Sequence, residues 1–118
     1  MNLKQEAEQF LKEKYDMVDF NSYQRSAVTT AIYPDQHKIT YPALGMAGEA
    51  GEVANKVKKL IRDGTQSDVA SEIGDVLWYC AMLASEMNVS LGKIMEGNLD
   101  KLYDRKERGK LQGSGDTR

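Results

Sequence analysis

Apolar residues recur along this chain at helical spacing, and no stretch alternates for long enough to make a strand. In residues 2–16, Leu3, Ala7, Phe10 and Leu11 stand among Lys and Glu, which predicts an amphipathic helix. A second helix starts at Asp19 or Asn21 and runs through SYQRSAVTTAI until Pro34 closes it. YPDQHKITYP is the longest irregular stretch. Pro42 suits the first turn of a third helix that runs to Asp63, with Gly64 as its left-handed stop. TQSD offers a capping box, Thr65 with Asp68, for a helix over 67–87 that Asn88 ends. Ser90 caps a last helix that reaches Arg108 and stops at Gly109, before the polar, Gly-rich tail KLQGSGDTR. Three long helices on short links predict an all-α bundle.

Composition narrows the function more than the fold. The chain has 118 residues, a one-domain length. Its residues are 41% hydrophobic and 29% charged, which excludes a disordered protein. A net charge of −2 argues against a polybasic nucleic-acid binder. The single cysteine, Cys80, can form no internal disulfide and sits in an apolar run, as a core residue in a reducing cytosol does. No apolar run approaches a membrane span, and MNLKQEAEQFLKEKY is amphipathic rather than signal-like. The expectation is a soluble, cytoplasmic protein with neither nucleic acid nor membrane as partner.

The third helix carries an unusual segment, GEAGEV, with Glu49 and Glu52 each preceded by a glycine. A glycine inside a helix costs roughly 1 kcal/mol relative to alanine, and like charges three apart repel mildly. Ala47, Ala50, Val53, Ala54, Val57, Leu60 and Ile61 form an apolar arc, with Glu49 at its edge and Glu52 further out. An ordinary solvated face, with Glu52 and Lys56 as an i,i+4 pair, is one reading. The fourth helix holds a second pair, Glu72 and Asp75, just before a run that is apolar at every position from Val76 to Ala84. Carboxylates in such a place face water or a cation. No Lys or Arg lies between Arg62 and Lys93, so that helix brings no cation of its own. Antiparallel packing of the two helices brings the pairs to one height. Four hard oxygen donors favour Mg²⁺, with Mn²⁺ as a substitute. A di-iron carboxylate bundle would need Glu-x-x-His pairs, and the one histidine, His37, lies in the irregular stretch. Gly48 and Gly51 would leave room beside the glutamates for a metal–phosphate group or for a neighbouring helix. The fully apolar run also predicts a homo-oligomer, because one small bundle cannot cover such a helix on all sides.

On the last helix Asn98, Lys101, Arg105 and Arg108 share a stripe. It is either a basic face near a helix C-terminus or a set of phosphate contacts. No Ser-His-Asp set or activated cysteine offers a covalent route.

GEAGEV…EIGDVLWY resembles the Glu-x-x-Glu then Glu-x-x-Asp signature of MazG-like nucleoside triphosphate pyrophosphohydrolases, an all-α superfamily that includes dCTP pyrophosphatases and dimeric dUTPases. TAIYP, ALGMAGEAGEVANKVKK and NLDKLYDRKERGKLQGSGDTR carry the likeness further, so that it spans residues 19–118 and leaves 1–18 as an N-terminal helical extension. The resemblance implies Mg²⁺-dependent hydrolysis of a nucleoside or deoxynucleoside triphosphate to the monophosphate and pyrophosphate, as nucleotide-pool house-cleaning. It implies an all-α, four-helix-bundle-like fold with an extra N-terminal helix, assembled as a homodimer or homotetramer, with Glu49, Glu52, Glu72 and Asp75 as catalytic metal ligands and Tyr79, Asn98, Lys101 and Arg105 as substrate-binding residues. Glu52 is the carboxylate we read as general base. Some relatives hold the base with a histidine and a tryptophan before the first acidic pair, where this chain has Tyr33, His37 and Tyr41. The alternative is a non-catalytic helical module, either a nucleotide- or metal-binding sensor or a regulatory partner.

Overall fold

A computed structural model describes residues 19–64 and 68–118, together with Asn2, Leu3 and Gln5. The rest of the predicted N-terminal extension, and the Thr65 half of the predicted capping box, lie outside the described residues. The described chain is four helices: α1 (Phe20–Val28), α2 (Thr40–Asp63), α3 (Val69–Glu86) and α4 (Leu91–Glu107), with a 3₁₀ turn at Asp35–His37. Among the described residues there is no strand, as the helical periodicity predicts.

Local chemistry fixes most of the boundaries. The Asp19 carboxylate accepts the Ser22 N–H at 2.7 Å, and the Ser22 hydroxyl accepts the Asp19 N–H at 3.1 Å, a reciprocal cap. α1 ends at Val28, sooner than the sequence predicts. Thr29 and Thr30 close i−3 backbone bonds to Ser26 and Ala27, and their hydroxyls donate to the same carbonyls at 2.6 and 2.7 Å. Pro42 lies in the first turn of α2, and Gly64 ends that helix at φ 65°, its N–H donating to the Leu60 carbonyl at 2.8 Å. The start of α3 is capped by Asp68, which accepts the Ser71 N–H at 2.9 Å. Asn88, at φ 58°, turns the chain between α3 and α4.

Asp19 gives the fold one pH-dependent joint. The hydrogen bond from the Ser22 N–H holds its carboxyl below the usual range. A lowered folded-state value means that the cap stabilises α1 above the unfolded value and is lost as pH falls through the folded one. Asp19→Asn should keep the cap and flatten the acid limb of a melting-temperature profile. An unchanged acid limb would assign that slope to other carboxylates.

α2 and α3 form an antiparallel pair, and α1 lies against α3 and α4. The core is small: Ala27, Ala81, Met82, Ala84 and Leu91, with Tyr23, Tyr33, Trp78 and Cys80 packed on it. Gln24 is buried and pins α1 to the α3–α4 turn. Its amide donates to Ser85 Oγ and the Val89 carbonyl, both at 3.0 Å, and its oxygen accepts the Leu91 N–H at 2.8 Å. A cavity of about 550 Å³ lies beside that turn, yet the adjacent N–H groups of α4 are already taken by Gln24, Asn21 and Ser90.

The apolar arc of α2 is not where the periodicity puts it. Ala47, Ala50, Ala54, Val57 and Ile61 are exposed, Ile61 at 80%. The half-buried positions of α2 include Gly45, Glu49, Val53 and Lys56, one stripe that carries a carboxylate and an ammonium. Among the described residues no helix is long and apolar enough to cross a membrane.

Candidate metal centre

Along the α2–α3 pair, Gly45 meets Tyr79 at one end and Lys56 meets Asp68 at the other, and the carboxylates lie between them. One carboxylate oxygen each of Glu49, Glu72 and Asp75 falls within 4.8 Å of the others. Glu49 and Glu72 are half-buried, and Asp75 is exposed. Glu52 is exposed and stands outside this trio. Antiparallel pairing of two helices with acids at matched distances from the turn brings three of the four predicted ligands together.

The electrostatics record crowding. Burial, a hydrogen bond with Glu72 and the charges of Asp75, Glu72 and Glu52 push the Glu49 carboxyl above the usual range. Glu72 is held below it, first by the Lys56 ammonium. Lys56 Nζ lies 2.8 Å from Glu72 Oε1 and donates to the Asp68 carbonyl at 3.3 Å. α3 brings no cation of its own, and the ammonium comes to it from α2 across the interface. The sequence pairs Lys56 with Glu52 on its own helix, whereas across the helix interface it meets the more crowded Glu72. The donor set fits a hard divalent cation: carboxylate oxygens only, convergent, partly desolvated and mutually repulsive when ionised.

An aromatic group adjoins the acids. Tyr33 stacks on Tyr41 with centroids 5.4 Å apart, and Trp78 meets Tyr79 edge-on at 5.0 Å. With Ile32 and Pro34 these rings line a cavity of about 320 Å³. The Trp78 indole N–H donates to Thr30 Oγ1 at 2.9 Å. Tyr33 donates to Glu86 Oε1 at 2.6 Å, and burial with that bond pushes its phenol up to about 12. Burial, with Tyr41, Glu49 and Asp75 nearby, raises the Tyr79 phenol too. His37 stays exposed in the 3₁₀ turn. Sequence reasoning passed over Trp78, whose position beside Tyr79 in an apolar run was the available signal.

Gly45 also went unremarked, though it is the glycine of α2 that the packing requires. A Cβ there would run into the Tyr79 ring, whereas Cβ atoms at Gly48 and Gly51 would meet nothing. Gly45→Ala should displace Tyr79 and cost about 1–3 kcal/mol, as overpacking does. A stability equal to that of the parent protein would show that the ring yields freely.

The predicted cationic stripe divides. Arg105 is only 6% exposed and its Nη2 donates to the Asp116 carbonyl at 2.6 Å, beneath the C-terminal tail. That burial sets it apart from an exposed basic face. Arg108 pairs with Asp104 at 2.8 Å and also donates to the Arg118 carbonyl at 2.9 Å. Arg118 fastens the tail by donating to the Gly115 and Leu111 carbonyls at 2.8 and 3.1 Å. Asn98 and Lys101 are exposed, and among the described residues neither pairs with the acidic trio.

Comparison with known proteins finds a family and a relative. Residues 37–109, which hold the trio, match the MazG nucleotide pyrophosphohydrolase domain. Gene 37 protein of Mycobacterium phage L5 is 45% identical over 109 residues, covering 81% of this chain and 96% of the phage protein. No solved structure matches. Two acidic pairs on an antiparallel helix pair, within an all-helical chain and under that domain match, place the protein in the MazG nucleotide pyrophosphohydrolase family.

Proposed function

We propose that the protein is a Mg²⁺-dependent nucleoside triphosphate pyrophosphohydrolase that releases the monophosphate and pyrophosphate. The observation that carries this reading is the convergence of Glu49, Glu72 and Asp75 within 4.8 Å in a chain of the MazG family. These three carboxylates would hold the cation, and Glu52 would complete the set from its exposed position. A divalent cation bound there would neutralise triphosphate charge and acidify a water. Glu52, outside the crowded trio, is the carboxylate we assign to take the proton of a water that attacks the α-phosphorus in line. Tyr79 and the rings around it give the base an apolar wall to stack on. Lys101, with Asn98, is free to meet the phosphates and the leaving pyrophosphate, whereas Arg105 would first have to leave the tail.

The assembly belongs to the same reading. Ala43, Ala47, Ala50, Ala54, Val57 and Ile61 step by four and three along α2 and are all exposed. Such a seam of small residues lets a second helix approach closely, and a second copy of the chain is the occupant we propose.

A phosphate-release assay with added inorganic pyrophosphatase, run over ribo- and deoxynucleoside triphosphates with and without Mg²⁺, tests the activity. Mg²⁺-dependent release is expected only when pyrophosphatase is present. Nucleotide binding without release from any triphosphate would make the chain a sensor.

A further inference from the structure

We propose that Lys56 is a built-in counter-ion of the carboxylate cluster, competing with the divalent cation for Glu72 and keeping the cation weakly bound until a triphosphate accompanies it. The inference rests on the metal-centre reading given above.

The carboxylates of Glu72, Asp68 and Glu52 all act on Lys56. Glu52, one turn earlier on its own helix, is exposed and would form an ordinary i,i+4 pair. The ammonium instead crosses to α3, 2.8 Å from Glu72 Oε1. The Glu72 side chain is 14% exposed and that of Lys56 28%, so water screens this pair less than a surface pair. Three converging carboxylates make the larger negative potential, and the flexible lysine goes to it.

A dication entering the trio therefore meets a site that is partly neutralised. It has to displace the ammonium from Glu72 or bind beside it against like-charge repulsion. Once displaced, Nζ is a compact point charge at the rim of the centre, suited to a phosphate oxygen. A triphosphate brings the negative charge that offsets the excess. Cation and nucleotide should thus each tighten the binding of the other, and by linkage to the same degree.

Manganese binding to the full-length, nucleotide-free protein tests this, with free Mn²⁺ followed by electron paramagnetic resonance. Lys56→Met should bind Mn²⁺ about tenfold tighter than the parent protein, as removal of a unit charge a few ångströms from a dication implies. Lys56→Arg should bind like the parent. Lys56→Gln removes the charge while keeping a donor for the Asp68 carbonyl, and should tighten Mn²⁺ as Lys56→Met does. A non-hydrolysable triphosphate analogue should then improve Mn²⁺ affinity more in the parent than in either uncharged variant. Equal or weaker Mn²⁺ binding in both uncharged variants overturns the proposal, as does the absence of Mn²⁺ binding from all the proteins. A purely structural clamp between α2 and α3 would lower the melting temperature of Lys56→Met without tightening Mn²⁺. If the hydrolase reading alone is wrong, turnover will be absent while the Mn²⁺ affinities still separate.

Discussion

Glu49→Gln and Asp75→Asn are each expected to abolish triphosphate hydrolysis while the metal-free protein melts no lower than the parent. The trio lies within 4.8 Å, and burial together with the neighbouring acids already pushes Glu49 up. Neutralising one member removes repulsion at neutral pH, so stability should hold or rise. Catalysis moves the other way. A bound cation supplies several kcal/mol of charge stabilisation at the transition state, and losing it corresponds to about a thousandfold or more in kcat. Mg²⁺ should raise the melting temperature of the parent protein and leave that of the variants nearly unmoved, by mass action on the folded state. Turnover within about threefold of the parent in either variant would remove that residue from the ligand set. A variant that loses both activity and its cooperative melt would instead show the carboxylate to be part of the fold.

The second large effect concerns mass. At micromolar concentration, sedimentation or light scattering should report a multiple of the 13.2 kDa chain. Ala50→Asp or Ile61→Asp should return it to a single-chain mass. Ile61 is 80% exposed and Leu44, near the start of the same helix, is 70% exposed. An aspartate at either seam position would carry an unpaired charge into an apolar contact and weaken it. Because these side chains do not fill the core of the single chain, the variants should keep their helical circular dichroism. A parent protein that runs as one chain, or an Ala50→Asp variant that keeps the oligomeric mass, would end this reading of the seam.

Much of the chain was legible without coordinates, because it depends on neighbours in sequence. Helix order follows from apolar period, and the stops at Gly64, Asn88 and Gly109 follow from left-handed backbone. The shared height of the acidic pairs follows from antiparallel packing about a short turn. What sequence could not decide was which face of α2 turns inward. Its alanine-rich arc looks like core on apolarity alone, yet α3 packs on the stripe that includes Gly45, Glu49, Val53 and Lys56. There the missing side chain of Gly45 admits the Tyr79 ring. The choice of Glu72 over Glu52 by Lys56, and the burial of Arg105 beneath the tail, likewise depend on what lies across an interface. Periodicity registers each residue's own polarity and its neighbours along the helix. The field of three converging carboxylates, and the space left by one glycine, exist only once two helices have met.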